Sequence, residues 1–533
     1  MNGLLHHKKT VIIAFFLTIF FVQSFVFLSS TSATWDETTY FGLGKYLMKN
    51  FRWDVPGSVL HPPLSHYISS VPLLFFNTNE SVWEYKEEKN LAFLSSVDFV
   101  RGQTLLSSPQ NDKDRLLILS RSMITLLSLL LGYFVYRFSN SLYGEKSGIL
   151  SLFFFAFCPN MIAFAGLIVP DMSLTVFSFI SIYYLWMSLK HGNIGDSLLS
   201  GLFLGLALLS KMTALFLFPI GFVLCSVYMV SEKKNVLKNM FLIFFCAVFV
   251  FFSGYAFDIT PYLQGINFQW NHAVDGHPSF LMGEYSKSGW WYYHIVAFLL
   301  KTPIPVIVLF VSALALFFAN LKKNWLDGLF LLVPIFFIIG FFCINHQSIG
   351  LRYILPIYPF IFVFIGSLLT FRKIPNYLIY ALAVWYIGAS LWISPHYLSY
   401  FNETIGGSDN GYKYLVDSNL DWGQDLKELK KFMDKNKIER VSLSYFGTDS
   451  PQRYGIRYDW LPSYYLHNPE PRQQPFVVPT HNLIAISVTN LQGVYFNDKN
   501  VYKRLEKYQP VAVIGHSIHV YDLRSPGQSK IKR

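Results

Sequence analysis

Two adjacent carboxylates, Asp36 and Glu37, stand in the stretch SATWDETTY (32–40), just after an apolar run that reads as a membrane helix. Charged groups so near hydrocarbon are costly unless they have partners or work to do. Thr34 and Glu37 fit a capping box, in which the Glu37 carboxylate reaches back to the first backbone N–H groups of a helix. Neighbours on a helix point about 100° apart, so the two acids need not share a role. Capping occupies Glu37 and leaves Asp36 free. The pattern alone equally allows two solvated cap residues. The residues that follow, TYFGLGKYLMK, place Tyr40, Leu43 and Leu47 on one face of an amphipathic helix expected at the membrane surface.

Further polar residues gather on the same side of the apolar runs. His61 precedes Pro62 and Pro63 in LHPPLSHYISSVPLLFF, and Pro63 is placed to open a helix. A histidine there can donate to an anion near a helix N-terminus; an ordinary turn fits the same residues. His61 and His66 are poorly spaced for one helix face, so no metal site is read from them. Arg121 stands at the outer end of the second apolar run, where a snorkelling arginine is the plain alternative. Asp171 in LIVPDMSL, Lys211 in LLSKMTALF and Arg352 in SIGLRYILPIYPF also lie at outer junctions. A cavity holding basic groups and carboxylates, open to the outer leaflet, suits a lipid carrying a phosphate.

The elements that must position these residues are mostly membrane helices. Of 533 residues 53% are hydrophobic and only 14% charged, far from the ~25% charged of an ordinary soluble domain. Apolar runs fall at 11–28, 116–136, 149–164, 172–187, 198–209, 214–230, 240–255, 292–318, 329–343, 354–369 and 377–393. They predict a polytopic α-helical membrane protein with about eleven spans. Small residues in STSA suggest a cleaved signal peptide, but the first run exceeds a usual signal core of ~7–15 residues, so an uncleaved helix is expected. The net charge of +11 sits largely in alternate short loops, which makes it an orientation signal rather than a nucleic-acid footprint. Those loops carry Arg137 and Lys146; Lys190; Lys233, Lys234 and Lys238; Lys322 and Lys323; and Arg372 and Lys373. The other loops carry few charges: Lys211, Lys287 and Arg352. The N-terminus is therefore expected in the cytoplasm, with the acidic loop and everything after residue 393 outside. Cys158, Cys225, Cys246 and Cys343 lie in apolar segments with no ligand spacing or disulfide framework.

Two non-membrane parts remain: an external loop at 29–114 and a tail at 394–533. In the tail, DLKELKKFMDKN has a helical period, with Leu426, Leu429, Phe432 and Met433 on one face. RVSLSYF, NLIAISV and PVAVIGHSIHVYDL read as strands, so the tail is expected to be a small α/β domain. The division expected is a membrane domain at 1–393, containing the external loop, followed by an extracytoplasmic domain at 394–533.

The order of WDE, HPPL, NDKDRLLILSRSM and LYGEKSGILSLFFFAFCPNMIAFAGLIVPDMS resembles the polyprenyl-phosphate-sugar-dependent glycosyltransferases. These include protein O-mannosyltransferases and the aminoarabinose transferases of lipid A. GLALLSKMTALFLFP, GHPSFLMGEYSKSGWWYYHIVAFLLKTPIP, GLRYILPIYPF and SNLDWGQDLKEL extend the likeness over most of the chain. It is most similar to the bacterial members described as phospholipid-carrier-dependent glycosyltransferases.

The resemblance implies a membrane-embedded GT-C fold. It also implies that Asp36 is the catalytic base, Glu37 its supporting neighbour, and Arg121, His61 and Arg352 the groups that hold the carrier phosphate. Asp171 matches the acid after the third span, and Lys211 is a further cavity candidate. The implied reaction moves a sugar, mannose among the candidates, from a polyprenyl-phosphate donor to an acceptor hydroxyl with inversion. No cofactor is required and a divalent cation is not indicated. The partners expected are the lipid-linked donor, an acceptor protein, lipid or glycan, and the bilayer, in a bacterial inner membrane. Leu60 stands where many bacterial members have Glu, and the β-trefoil insertion of the eukaryotic enzymes is missing, so the acceptor stays open. Two rivals remain. A ligase or polymerase would use lipid-diphosphate donors, and a transporter would carry its ionisable groups near mid-membrane, often with inverted repeats.

Overall fold

The structure, a computed structural model, describes residues 2–78, 97–320, 325–344, 347–371, 375–464, 479 and 481–524. Lys322, Lys323, Arg372 and Lys373, read above as cytoplasmic charges, lie outside the described residues. Among the described residues six helices are long and apolar enough to cross a membrane: His7–Ser30, Lys113–Tyr143, Pro170–His191, Met212–Glu232, Leu237–Gly254 and Trp325–Ile344. Two bent pairs can each form one more span, and Ile194–Leu208, Ile357–Thr370 and Tyr377–Trp392 are shorter apolar helices. Each expected apolar run finds its helix or bent pair among these.

Proline explains the bends. Glu145–Ala156 and Pro159–Ala165 meet at 65°, and Tyr293–Lys301 and Ile304–Ala319 at 114°, where KTPIP cannot continue the i to i−4 ladder. The run 292–318, expected as one span, is therefore a sharply broken one. Backbone carbonyls freed at a break inside apolar surroundings must find donors. Asn402 Nδ2 donates to the Leu299 and Thr302 carbonyls at 2.6 and 2.8 Å, and Asn160 Nδ2 to that of Lys301 at 2.7 Å. The buried Lys301 ammonium donates to the carbonyls of Leu398 (3.0 Å), Tyr400 (2.9 Å) and Asn419. This break thus ties the membrane helices to the start of the C-terminal part. At the centre lies Pro170–His191, apolar and buried almost all round, as a helix surrounded by other helices should be.

The described residues of the segment 29–114 form short helices packed on the bundle. The single amphipathic helix expected from residue 38 onward is two: Glu37–Tyr40 and Leu43–Asn50, separated at Gly42, whose φ of 81° suits a residue without Cβ. Tyr40, Leu43 and Leu47 are buried within the protein rather than laid on a membrane surface. The helix Val97–Ser107 packs across them so closely that a Cβ at Gly102 would stand 1.6 Å from the Thr38 carbonyl oxygen.

Two small sheets complete the fold. β1 (Ser279–Leu281) and β2 (Glu284–Ser286) form a hairpin that the sequence reading passed over. In the tail, β3 (Val441–Ser444), β4 (Tyr458–Trp460), β5 (Leu483–Ser487), β6 (Ala512–Ile514) and β7 (Ile518–Asp522) take the order β4-β3-β5-β7-β6. β3 runs parallel to β4 and β5, while β7 is antiparallel to β5 and β6. The helix Leu426–Lys435 buries Leu426, Leu429 and Met433 against this sheet, the face its period predicts.

The tight crossing at Gly102 is testable. Gly102→Ala forces backbone apart beside the acidic loop and should cost ~1–3 kcal/mol or more. Thermal unfolding of the purified protein in detergent should shift down accordingly, and a melt equal to wild type would contradict the packing.

Candidate active site

The loop that leaves the first helix is held from below. Arg121, on the helix Lys113–Tyr143, and Glu37 are both fully buried and meet in a two-pronged pair. Arg121 Nε donates to Glu37 Oε1 at 2.9 Å and Nη2 to Oε2 at 2.5 Å. Arg121 Nη1 also donates to the Leu28 and Thr31 carbonyls, at 2.8 and 3.2 Å, and Nη2 to that of Ser32 at 2.8 Å. The guanidinium has five N–H groups, and this set of acceptors takes them all. Glu37 further accepts from Thr34 N (2.9 Å), Thr34 Oγ1 (3.0 Å) and Ile168 N (2.9 Å). Burial opposes its charge, but Arg121 and these hydrogen bonds outweigh that and hold its pKa below the ordinary carboxylate value.

Glu37 does reach back to Thr34, as the capping pattern requires, but it also clamps two other segments. Arg121, expected to hold a carrier phosphate, is spent on the loop and does not line the cavity.

Above the loop opens a cavity of about 1100 Å3. Asp36, His61, Lys211 and Arg352 all line it. Asp36 Oδ2 accepts from Arg352 Nη1 at 2.6 Å, and both side chains keep slight exposure, 13% and 12%. The Arg352 guanidinium lies 4.5 Å from the Trp422 ring centroid. Lys211 Nζ donates to Asp171 Oδ1 at 2.7 Å and lies 4.6 Å from the Tyr353 ring centroid. Asp171 is buried behind Lys211 rather than on the cavity wall. Burial lowers the Lys211 pKa although Asp171 opposes this.

Burial first, then the charges of Lys211, His66 and Arg352, push the His61 pKa well below the usual histidine value. The loop that carries it is pinned by Leu64 N to the Leu209 carbonyl (3.0 Å) and Gln269 Nε2 to the Leu60 carbonyl (3.1 Å). Among the described residues no three His, Cys, Asp or Glu side chains come together to hold a metal ion.

The C-terminal part supplies residues that sequence reasoning missed: Asp417, Trp422, Phe446, Tyr464 and Tyr495 line the same cavity. Asp417 directly precedes the motif SNLDWGQDLKEL, so its signal was one residue away. The aromatic residues carry no period that links them. Thr213, Gln269, His272, His277 and Gln347 also line it, beside an apolar stretch with Leu215, Phe216 and Pro219 from one helix and Phe337, Phe341 and Ile344 from another.

Residues 119–255 match the family described as dolichyl-phosphate-mannose-protein mannosyltransferase. Among curated proteins none matches the sequence. Of solved structures, ArnT from Cupriavidus metallidurans in the apo state is similar with a TM-score of 0.52 and 12% identity, covering 97% of this chain and 98% of that chain. The same protein bound to undecaprenyl phosphate gives 0.49 and 13%, covering 96% and 97%. The apo Archaeoglobus fulgidus oligosaccharyltransferase gives 0.44 and 10%, covering 72% and 54%. The apo ArnT likeness carries the fold: this is a GT-C architecture, helical in the membrane part with a small sheet domain at the C-terminus. The motif resemblance to polyprenyl-phosphate-dependent glycosyltransferases thus meets a family match over the second to seventh apolar runs and a shared fold over nearly the whole chain.

Breaking a buried ion pair strands a charge, so Glu37→Met and Arg121→Met should each cost ~3–5 kcal/mol. The double variant should lose less than the sum of the two. The depressed Glu37 pKa means that its contribution is present at neutral pH and is lost as pH falls through the folded-state value. Thermal melts of the four proteins at pH 7 check this, and additive losses would contradict it.

Proposed function

We propose that the protein is an inverting glycosyltransferase that moves a sugar from a polyprenyl-phosphate-linked donor to an acceptor hydroxyl. The observation that carries this reading is one cavity lined by Asp36, Lys211 and Arg352 beside apolar side chains. Every one of these polar groups sits at or beyond a helix end: Asp36 after His7–Ser30, Lys211 before Met212–Glu232, Arg352 before Ile357–Thr370. That clustering favours a site near one membrane face over a transporter with ionisable groups at mid-membrane. Mannose is the first sugar to test, because the matching family is described by it.

In this reading the prenyl chain lies along Leu215, Phe216, Pro219, Phe337 and Phe341, and the phosphate reaches Lys211 and Arg352. Lys211 spends one N–H on Asp171 and keeps two for the phosphate. The His61 imidazole can donate a further hydrogen bond. The acceptor oxygen attacks the anomeric carbon as Asp36 takes its proton. The bond from that carbon to the phosphate oxygen breaks on the opposite side, and its electron pair stays on the phosphate. Lys211 and Arg352 stabilise the growing negative charge in a partly dry site, where such contacts are strong. Arg121 acts by holding the loop that carries Asp36. The alternating basic loops support a cytoplasmic N-terminus with the cavity on the outer side, and this reading takes a bacterial inner membrane as the setting.

The test uses purified protein in nanodiscs and undecaprenyl-phosphate mannose as donor, with an extract of the outer membrane surface as acceptor source. Asp36→Asn should bind undecaprenyl phosphate as wild type does, yet release it from the donor ~10²-fold more slowly or worse. Lys211→Met should weaken undecaprenyl phosphate binding about tenfold, the worth of one charge-assisted contact. Wild-type turnover by Asp36→Asn would overturn the assignment of the base.

A further inference from the structure

One wall of the cavity is left unused by the donor. Trp35 from the acidic loop stacks on Phe446 (centroids 4.8 Å apart, planes 21°) and on Tyr464 (5.3 Å, 16°). Tyr495 stacks on the same two rings, at 5.4 Å and 13° from Phe446 and 4.4 Å and 20° from Tyr464. All four line the cavity. The pairs are near-parallel, as in offset stacking. They give the cavity a broad apolar surface built from both the acidic loop and the C-terminal domain.

A carboxylate sits within this wall. Asp417 accepts from the Tyr495 hydroxyl on Oδ2 and from Ser418 N on Oδ1. Its backbone is in the left-handed region, with φ 57°, and its N–H donates to Thr489 Oγ1 at 3.1 Å. A non-glycine residue held there is under strain that its surroundings must repay, a pattern common at ligand sites. Burial, opposed by the Tyr495 hydrogen bond and by Arg352, lifts the Asp417 pKa to about 6. A polar group among aromatic rings is costly unless a partner meets it.

Flat aromatic surface with a hydrogen-bond acceptor at hand suits one chemical class well. The C–H faces of a pyranose pack on aromatic rings while its hydroxyls donate to carboxylates. One common mode for an extended peptide is pairing with a strand edge. Asp417, Trp422, Phe446, Tyr464 and Tyr495 all lie outside the strands. The geometry points to an acceptor subsite for a saccharide, in which Trp35, Phe446, Tyr464 and Tyr495 pack a pyranose ring and Asp417 accepts from one of its hydroxyls. The inference rests on the glycosyltransferase reading and names the acceptor class for it. Asp36, adjacent to Trp35 in the chain, then takes the proton of the attacking hydroxyl on the same ligand.

Saturation-transfer NMR on the full chain in nanodiscs tests this, with mannotriose, N-acetylchitotriose and the peptide Ala-Thr-Ala as probes. At least one saccharide should receive saturation at its ring protons, and the peptide should not. Tyr464→Ala, its milder partner Tyr464→Leu, and Asp417→Asn should each weaken saccharide binding by about fivefold or more, the worth of one aromatic contact or hydrogen bond. Saccharide binding at wild-type strength in all three variants would overturn the inference. Undecaprenyl phosphate binding to the wild type, measured in the same nanodiscs, reports separately on the reading beneath it. Its absence overturns that reading. Its presence, with the peptide bound and both saccharides unbound, overturns only the acceptor class.

Discussion

A buried ion pair sets the geometry of everything above it. Glu37 and Arg121 lie with no exposure beneath the loop that leaves the first membrane helix. Removing both charges from water is expensive, and their attraction offsets that cost only when every remaining donor and acceptor is met. Here it is: Arg121 bonds the last carbonyls of the first helix and its exit, while Glu37 bonds Thr34 and Ile168. Three segments are thereby fixed to one point: the end of the first helix, the second long helix, and the turn before Pro170–His191. Asp36 follows from this. With Glu37 turned inward, its neighbour faces the cavity and meets Arg352.

The second half of the site depends on the break in the membrane helix at Thr302 and Pro303. A straight helix would need no outside donors. The broken one takes Asn402 and gives Lys301 to the carbonyls of residues 398, 400 and 419. Asn419 also accepts from Leu351 N at 2.9 Å, next to Arg352. The break therefore sets where the segment 417–422 stands against Arg352. The C-terminal domain is joined to the membrane part through the site itself, and both sides contribute lining residues.

Apolar length was the clearest message of the sequence, because burial in lipid demands it: all eleven runs correspond to helices or bent pairs. Asp36, His61, Lys211 and Arg352 could be grouped by side from their places at the ends of runs. Arg121 could not be assigned the same way. Its position gives the side of the membrane but not where its guanidinium points, and only the structure reveals five donors already taken. The helix break at Gly42 was visible as a glycine, yet propensity alone does not say that the chain turns there. The aromatic wall was invisible because Trp35 meets Phe446 and Tyr464 across more than four hundred residues, with no period to signal it. Asp417 escaped for a related reason: its role comes from burial beside Tyr495, which no local pattern encodes.

The proposed function divides the work among the cations: Arg121 holds the loop, and Lys211 and Arg352 would meet the phosphate. An electron cryomicroscopy map of the wild-type protein in nanodiscs with undecaprenyl phosphate tests it most directly. Phosphate density is expected within hydrogen-bonding reach of Lys211 and Arg352, with the Arg121–Glu37 pair intact. Phosphate density on Arg121, with Glu37 released, would contradict it.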